Sequence, residues 1–152
     1  MTIGWSQYAE ARDLEQERCP DAIMESVGKF FRLDHFTYPQ SGYYPSVENG
    51  GLIVAGVCKP MPNDASRVIA AFAYDAKVEY EKKFLLVVYD NTRKRVISSY
   101  SGILGEDAAT EVSPYSIRID TARYVLAKNV RAFALRLDTF NGRNCGDGTL
   151  GD

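Results

Sequence analysis

Residues 84 to 89 read Phe84-Leu85-Leu86-Val87-Val88-Tyr89, an unbroken run of large apolar side chains. Side chains of a strand alternate between two faces, so an unbroken apolar run of strand length is apolar on both and predicts a central strand covered above and below. The run stops at Asp90-Asn91-Thr92-Arg93-Lys94, a polar, turn-forming connection of hairpin length, after which Arg95 to Tyr100 again favours a strand. This hairpin sets an antiparallel sheet and makes Arg93-Lys94-Arg95 a solvated turn.

Working outward, further strands are predicted at Gly51 to Cys58, Arg67 to Tyr74, Ser116 to Asp120 and Val130 to Asp138. In the last, Phe133, Leu135 and Leu137 alternate with Ala134, Arg136 and Asp138, giving one dry and one wet face. The expected fold is therefore mainly β within the α+β class, an antiparallel β-sandwich-like sheet of about six strands. Before it, residues 5 to 18 favour a short helix. A second helix is predicted over 20 to 31, with Pro20 and Asp21 at its start and Ile23, Val27, Phe30 and Phe31 on its buried face. Gly28 costs such a helix about 1 kcal/mol relative to Ala and marks a place for an early break.

The 152 residues read as one domain, 1 to 45 helical and aromatic-loop, 50 to 145 the β core. A net charge of -2 with scattered cations excludes the clustered basic footprint of nucleic-acid binding. The longest apolar run falls far short of the ~20 residues of a membrane helix, so membrane insertion is not expected. The beginning, Met1-Thr2-Ile3-Gly4-Trp5, lacks the basic flank and apolar segment of a secretory signal. The expected compartment is the periplasm, with the signal absent from this sequence; the alternative is the cytoplasm.

Cys19, Cys58 and Cys145 match no zinc-site spacing, and His35 is the one histidine. Cys58 follows the first predicted strand and Cys145 the last, which predicts a Cys58 to Cys145 disulfide with Cys19 free. Closing so long a loop contributes about 4 to 5 kcal/mol in the chain-entropy model. Gly146-Asp147-Gly148-Thr149-Leu150-Gly151 matches G-x-G-x-x-G literally, yet only Asp152 follows in this sequence, so the helix a pyrophosphate needs is missing here. Ser26-Val27-Gly28-Lys29 has the Ser-x-x-Lys spacing without its companion motifs and reads as a polar helix face. Glu106, Asp107 and Glu111 crowd one loop without calcium-loop spacing. Neither metal nor cofactor is expected.

Gly56-Val57-Cys58-Lys59-Pro60, Ile117-Arg118-Ile119-Asp120-Thr121-Ala122-Arg123-Tyr124 and Asn144-Cys145-Gly146-Asp147-Gly148 together resemble a group of β-rich proteobacterial proteins of no assigned activity. The resemblance spans roughly residues 50 to 150, and members run on past a Gly-Asp-Gly segment, which implies a C-terminally truncated version here. Small β-rich bacterial proteins of this look include immunity proteins and periplasmic inhibitors. The expected function is accordingly a non-enzymatic binding protein that blocks a toxin or hydrolase. Tyr38, Tyr43 and Tyr44, in an aromatic loop with Ser41 and Gly42, supply recognition-type side chains, and Glu106 and Asp107 would steer a basic partner. The alternative is a small-ligand or carbohydrate-binding β-sandwich whose tyrosines stack on sugar rings.

Overall fold

The computed structural model describes residues 18–38, 51–62, 64–76, 81–106, 110–113 and 116–141. One helix, α1 (Asp21–Phe31), precedes eight strands: β1 (Leu52–Met61), β2 (Asp64–Asp75), β3 (Lys82–Asp90), β4 (Arg95–Gly105), β5 (Thr110–Glu111), β6 (Ile117–Ala127), β7 (Val130–Leu137) and β8 (Phe140–Asn141). Strands β1 to β4 form an antiparallel meander in chain order, while β6 pairs with β7 and β5 with β8. The chain is mostly β, as its alternation patterns predict. The helix expected over 5 to 18 lies outside the described residues apart from Arg18.

The four-stranded sheet is the middle of three layers. Its β2 is buried on both faces from Ile69 to Tyr74, and β3 sits between β2 and β4 with Phe84, Leu85, Val87 and Tyr89 buried. On one face Ile53, Cys58, Ala70, Phe72, Tyr74, Leu85, Val87 and Tyr89 pack against Ile23, Met24 and Val27 of α1 and against Phe36. On the other, Ala55, Val57, Ile69, Ala71, Ala73 and Phe84 pack against Ile117 and Ile119 of β6, with Phe133 and Leu135 of β7 alongside. At about 25 cal/mol per Å² of apolar surface removed from water, these two cores are the main source of stability. The turn after β3 is the one its residues specify: Asp90 Oδ1 accepts hydrogen bonds from the Thr92 and Arg93 amides at 2.9 Å, and Lys94 takes φ 54.

Helix α1 runs past Gly28 to Phe31 without the early break. The carbonyl of Gly28 accepts the Leu33 amide at 2.9 Å, and Arg32 closes the helix with φ 55. A Cβ on Gly28 would stand 2.7 Å from Phe36 Cβ, so the glycine is the close-approach point of the returning chain. Phe30, expected on the buried face, is instead 60% exposed, and Met24 takes its place in the core.

The disulfide joins Cys19 to Cys58, with Cα atoms 4.7 Å apart, correcting the expected Cys58 to Cys145 pairing. Cys58 faces the α1 side of the sheet, where Cys19 arrives just ahead of the helix. The β6–β7 hairpin, from which the chain continues toward Cys145, packs on the opposite face. Cys145 itself lies outside the described residues. A buried disulfide of this kind belongs to chains that fold in an oxidising, extracytoplasmic environment.

Candidate interaction surface

The β6–β7 hairpin has two halves. Its base, Ile117 to Asp120 paired with Leu137 to Ala134, is anchored on the sheet by Ile117 and Ile119. Regular pairing then breaks between Asp120 and Tyr124, where Asp120 Oδ1 accepts the Ala122 amide at 2.9 Å, and resumes at Tyr124 opposite Ala132. Beyond that break none of the distal residues whose side chains are described belongs to either core. The turn is Lys128-Asn129, with Asn129 at φ 63, the left-handed conformation that asparagine tolerates better than most side chains.

Around this turn Val125, Leu126 and Val130 are 61%, 73% and 44% exposed. Val125 and Leu126 are adjacent, and the pairing of Val125 with Arg131 gives way to Ala127 with Val130, leaving Leu126 as the extra residue of an irregular pair. The tip is thus apolar on more than one side. Between residues 121 and 131 the sequence holds Arg123, Lys128 and Arg131 and no acid, on a chain of net charge -2. Single exposed apolar residues are ordinary, whereas here three aliphatic side chains are exposed together at the end of one ribbon.

The structure distributes the residues singled out from sequence differently. Tyr38 is part of the frame: its hydroxyl donates to the Gly56 carbonyl at 2.8 Å, and the Arg18 guanidinium lies 4.3 Å from the ring centre. Burial pushes the Tyr38 hydroxyl above its ordinary value, against the opposing pull of the Cys19 amide and of Arg18. It therefore ties the Cys19 segment to β1. Glu106 is exposed just past β4. Tyr43, Tyr44 and Asp107 lie outside the described residues, so no grouping of the five is seen.

Two other constellations resolve. Lys29 ion-pairs with Glu25 at 2.8 Å, which raises its pKa through that hydrogen bond and charge, the reverse of what a lysine base in a Ser-x-x-Lys site requires. Ser26 Oγ donates instead toward the Lys94 carbonyl at 3.5 Å, at the end of the sheet. His35, at φ 51, lines an open cleft of about 660 Å³ beside α1 together with Asp21, Glu25, Arg32 and Thr37. Among the described residues no helix is long and apolar enough to cross a membrane, and no three metal-ligating side chains converge.

The residues sequence reading missed, Val125, Leu126 and Val130, carry a legible signal in retrospect. Tyr124-Val125-Leu126 and Val130 are strand formers flanking a two-residue polar turn, the pattern of a hairpin. The polar Asp120-Thr121 stretch ended the predicted strand too soon. Comparison with protein-family models, with curated proteins and with solved structures returned no match.

Proposed function

We propose that this chain is a non-enzymatic binding protein that engages a protein partner through the tip of its β6–β7 hairpin, and that it serves as an immunity or inhibitor protein blocking a toxin or hydrolase in the periplasm. The observation that carries this reading is the joint exposure of Val125, Leu126 and Val130 at the end of a ribbon whose base is locked into the core. A convex apolar tip complements a concave site, and enzyme active sites are concave and largely apolar. Lys128 at the apex, with Arg123 and Arg131 close by in sequence, favours a cleft with carboxylates and would accelerate encounter with it. A fixed base reduces the ordering cost on binding. The Cys19–Cys58 bridge supports an oxidising site of action.

The test is formation of a stoichiometric complex with the product of a neighbouring toxin or hydrolase gene, measured by calorimetry with the oxidised protein. Leu126→Asp combined with Val125→Asp is expected to weaken it at least 100-fold, as buried hot-spot side chains do, without lowering the melting temperature. Undiminished binding by this variant would remove the tip from the reading. Absence of any complex, together with a melting temperature raised by soluble glycans, would favour the carbohydrate-binding alternative.

A further inference from the structure

We propose that β4 is a self-association edge, through which two copies of the chain join their sheets by antiparallel pairing about a twofold axis at Tyr100. Strand β4 ends the order β1-β2-β3-β4, and among the described residues no strand pairs with its outer side. Edge strands of monomers are commonly guarded by charge, above all by lysine. Here the sequence from Val96 to Gly105 contains no charged residue. Three large apolar side chains stand in solvent instead, Ile97 44%, Tyr100 67% and Ile103 55% exposed, while Val96 and Leu104 pack on the two cores.

Their spacing selects the occupant. Ile97-Ser98-Ser99-Tyr100-Ser101-Gly102-Ile103 is close to a palindrome of chemistry. With Tyr100 opposite Tyr100 of the second copy, antiparallel register sets Ile97 opposite Ile103, Ser99 opposite Ser101 and Ser98 opposite Gly102, each twice. Opposite residues of an antiparallel pair share a face and touch. Every exposed apolar side chain of the strand then meets an apolar one, and no like charges oppose. An unrelated strand would gain nothing from this symmetry, whereas a second copy uses all of it, as an isologous interface must.

The local geometry fits. Strand β4 pairs regularly with β3 from Ser98 opposite Val88 to Ile103 opposite Lys83, a segment centred near Tyr100, and Ile97 is the extra residue of the register shift that precedes it, so the Ile97–Ile103 contacts close the two ends of the regular ladder. A Cβ placed on Gly102 would meet only Tyr100 Cε1 of its own chain, at 4.0 Å, so the surface beside the glycine is otherwise open, next to the second copy's Tyr100 as its diagonal neighbour. The closed twofold product is one continuous sheet and does not propagate into a fibre.

Sedimentation velocity on the oxidised chain tests this, from a few micromolar to about 200 µM, the range suited to a small interface. The wild type is expected to dimerise within that range. Tyr100→Lys and Tyr100→Asp, each setting like charges across the axis, should weaken dimerisation at least tenfold, and an equimolar mixture should recover a heterodimer. Tyr100 is 67% exposed, so both variants should keep the wild-type circular dichroism and melting temperature. A wild type that stays monomeric, a dimer indifferent to either variant, or a mixture that fails to reassociate would each overturn the proposal. The hairpin tip is a different element, so partner binding by the Tyr100 variants separates this edge from the reading above.

Discussion

Replacing Cys19 and Cys58 together by alanine isolates the contribution of the helix-to-sheet bridge. The two cysteines are 39 residues apart. In the chain-entropy model a loop of that size stabilises by about 4 kcal/mol, through the freedom it removes from the unfolded chain. For a domain of this length each kcal/mol moves the melting temperature by roughly 2–4 °C, so the double variant should melt about 8–16 °C lower. Both cysteines are nearly fully buried, at 2% and 6% exposed, so the lost sulfur packing acts in the same direction. Thermal and urea unfolding of oxidised wild type and variant measure the effect, with non-reducing peptide mapping as the covalent control. The map should show Cys19 and Cys58 in one cross-linked peptide pair. A cross-link from Cys58 to Cys145, three alkylatable thiols in the oxidised protein, or a shift under about 3 °C against the expected range would refute the reasoning.

Gly56→Ala should destabilise by about 1–3 kcal/mol, the range for overpacking, because its Cβ would lie 2.7 Å from the Tyr38 hydroxyl and 3.0 Å from Phe72 Cδ1. Tyr38→Phe removes the first clash, so urea midpoints of the double variant should show a smaller loss than the two single losses added. In alkali, Tyr38 and Tyr74 are both held above the ordinary 10.0, chiefly by burial. The folded state thus favours their neutral form; that stabilisation is complete below the unfolded value and is lost as pH rises through the folded values. The melting temperature should therefore fall once pH passes about 10, and less steeply in Tyr38→Phe, as a pH series of thermal melts would show.

The sheet was legible because its strands obey simple rules. Phe84 to Tyr89 is apolar on both faces and is central; the Asp90 to Lys94 turn carries the side-chain acceptor its conformation uses. The disulfide was not legible, for a reason located at the start of β1. In a regular strand Ile53 and Cys58, an odd number of residues apart, face opposite ways, and a register shift between Ile53 and Ala55 brings both to the α1 side. No residue type announces that bulge, so the face of Cys58 could not be read. Tyr38 looked like a recognition residue by type, and the Gly56 carbonyl that engages its hydroxyl is visible only in three dimensions. The hairpin tip was hidden by Asp120, whose side chain caps an irregularity inside β6 where polarity alone indicates an end.

The Cys19–Cys58 bridge also bears on how the chain meets proteases. A single backbone cut anywhere between residues 19 and 58 leaves both pieces on one covalent molecule, so α1 stays tethered to the sheet it covers. Such nicked protein would run as one band until reduced and would keep its helix-side core in place. In a protein built this way a cut in the connection between helix and sheet is covalently silent until the bridge is reduced.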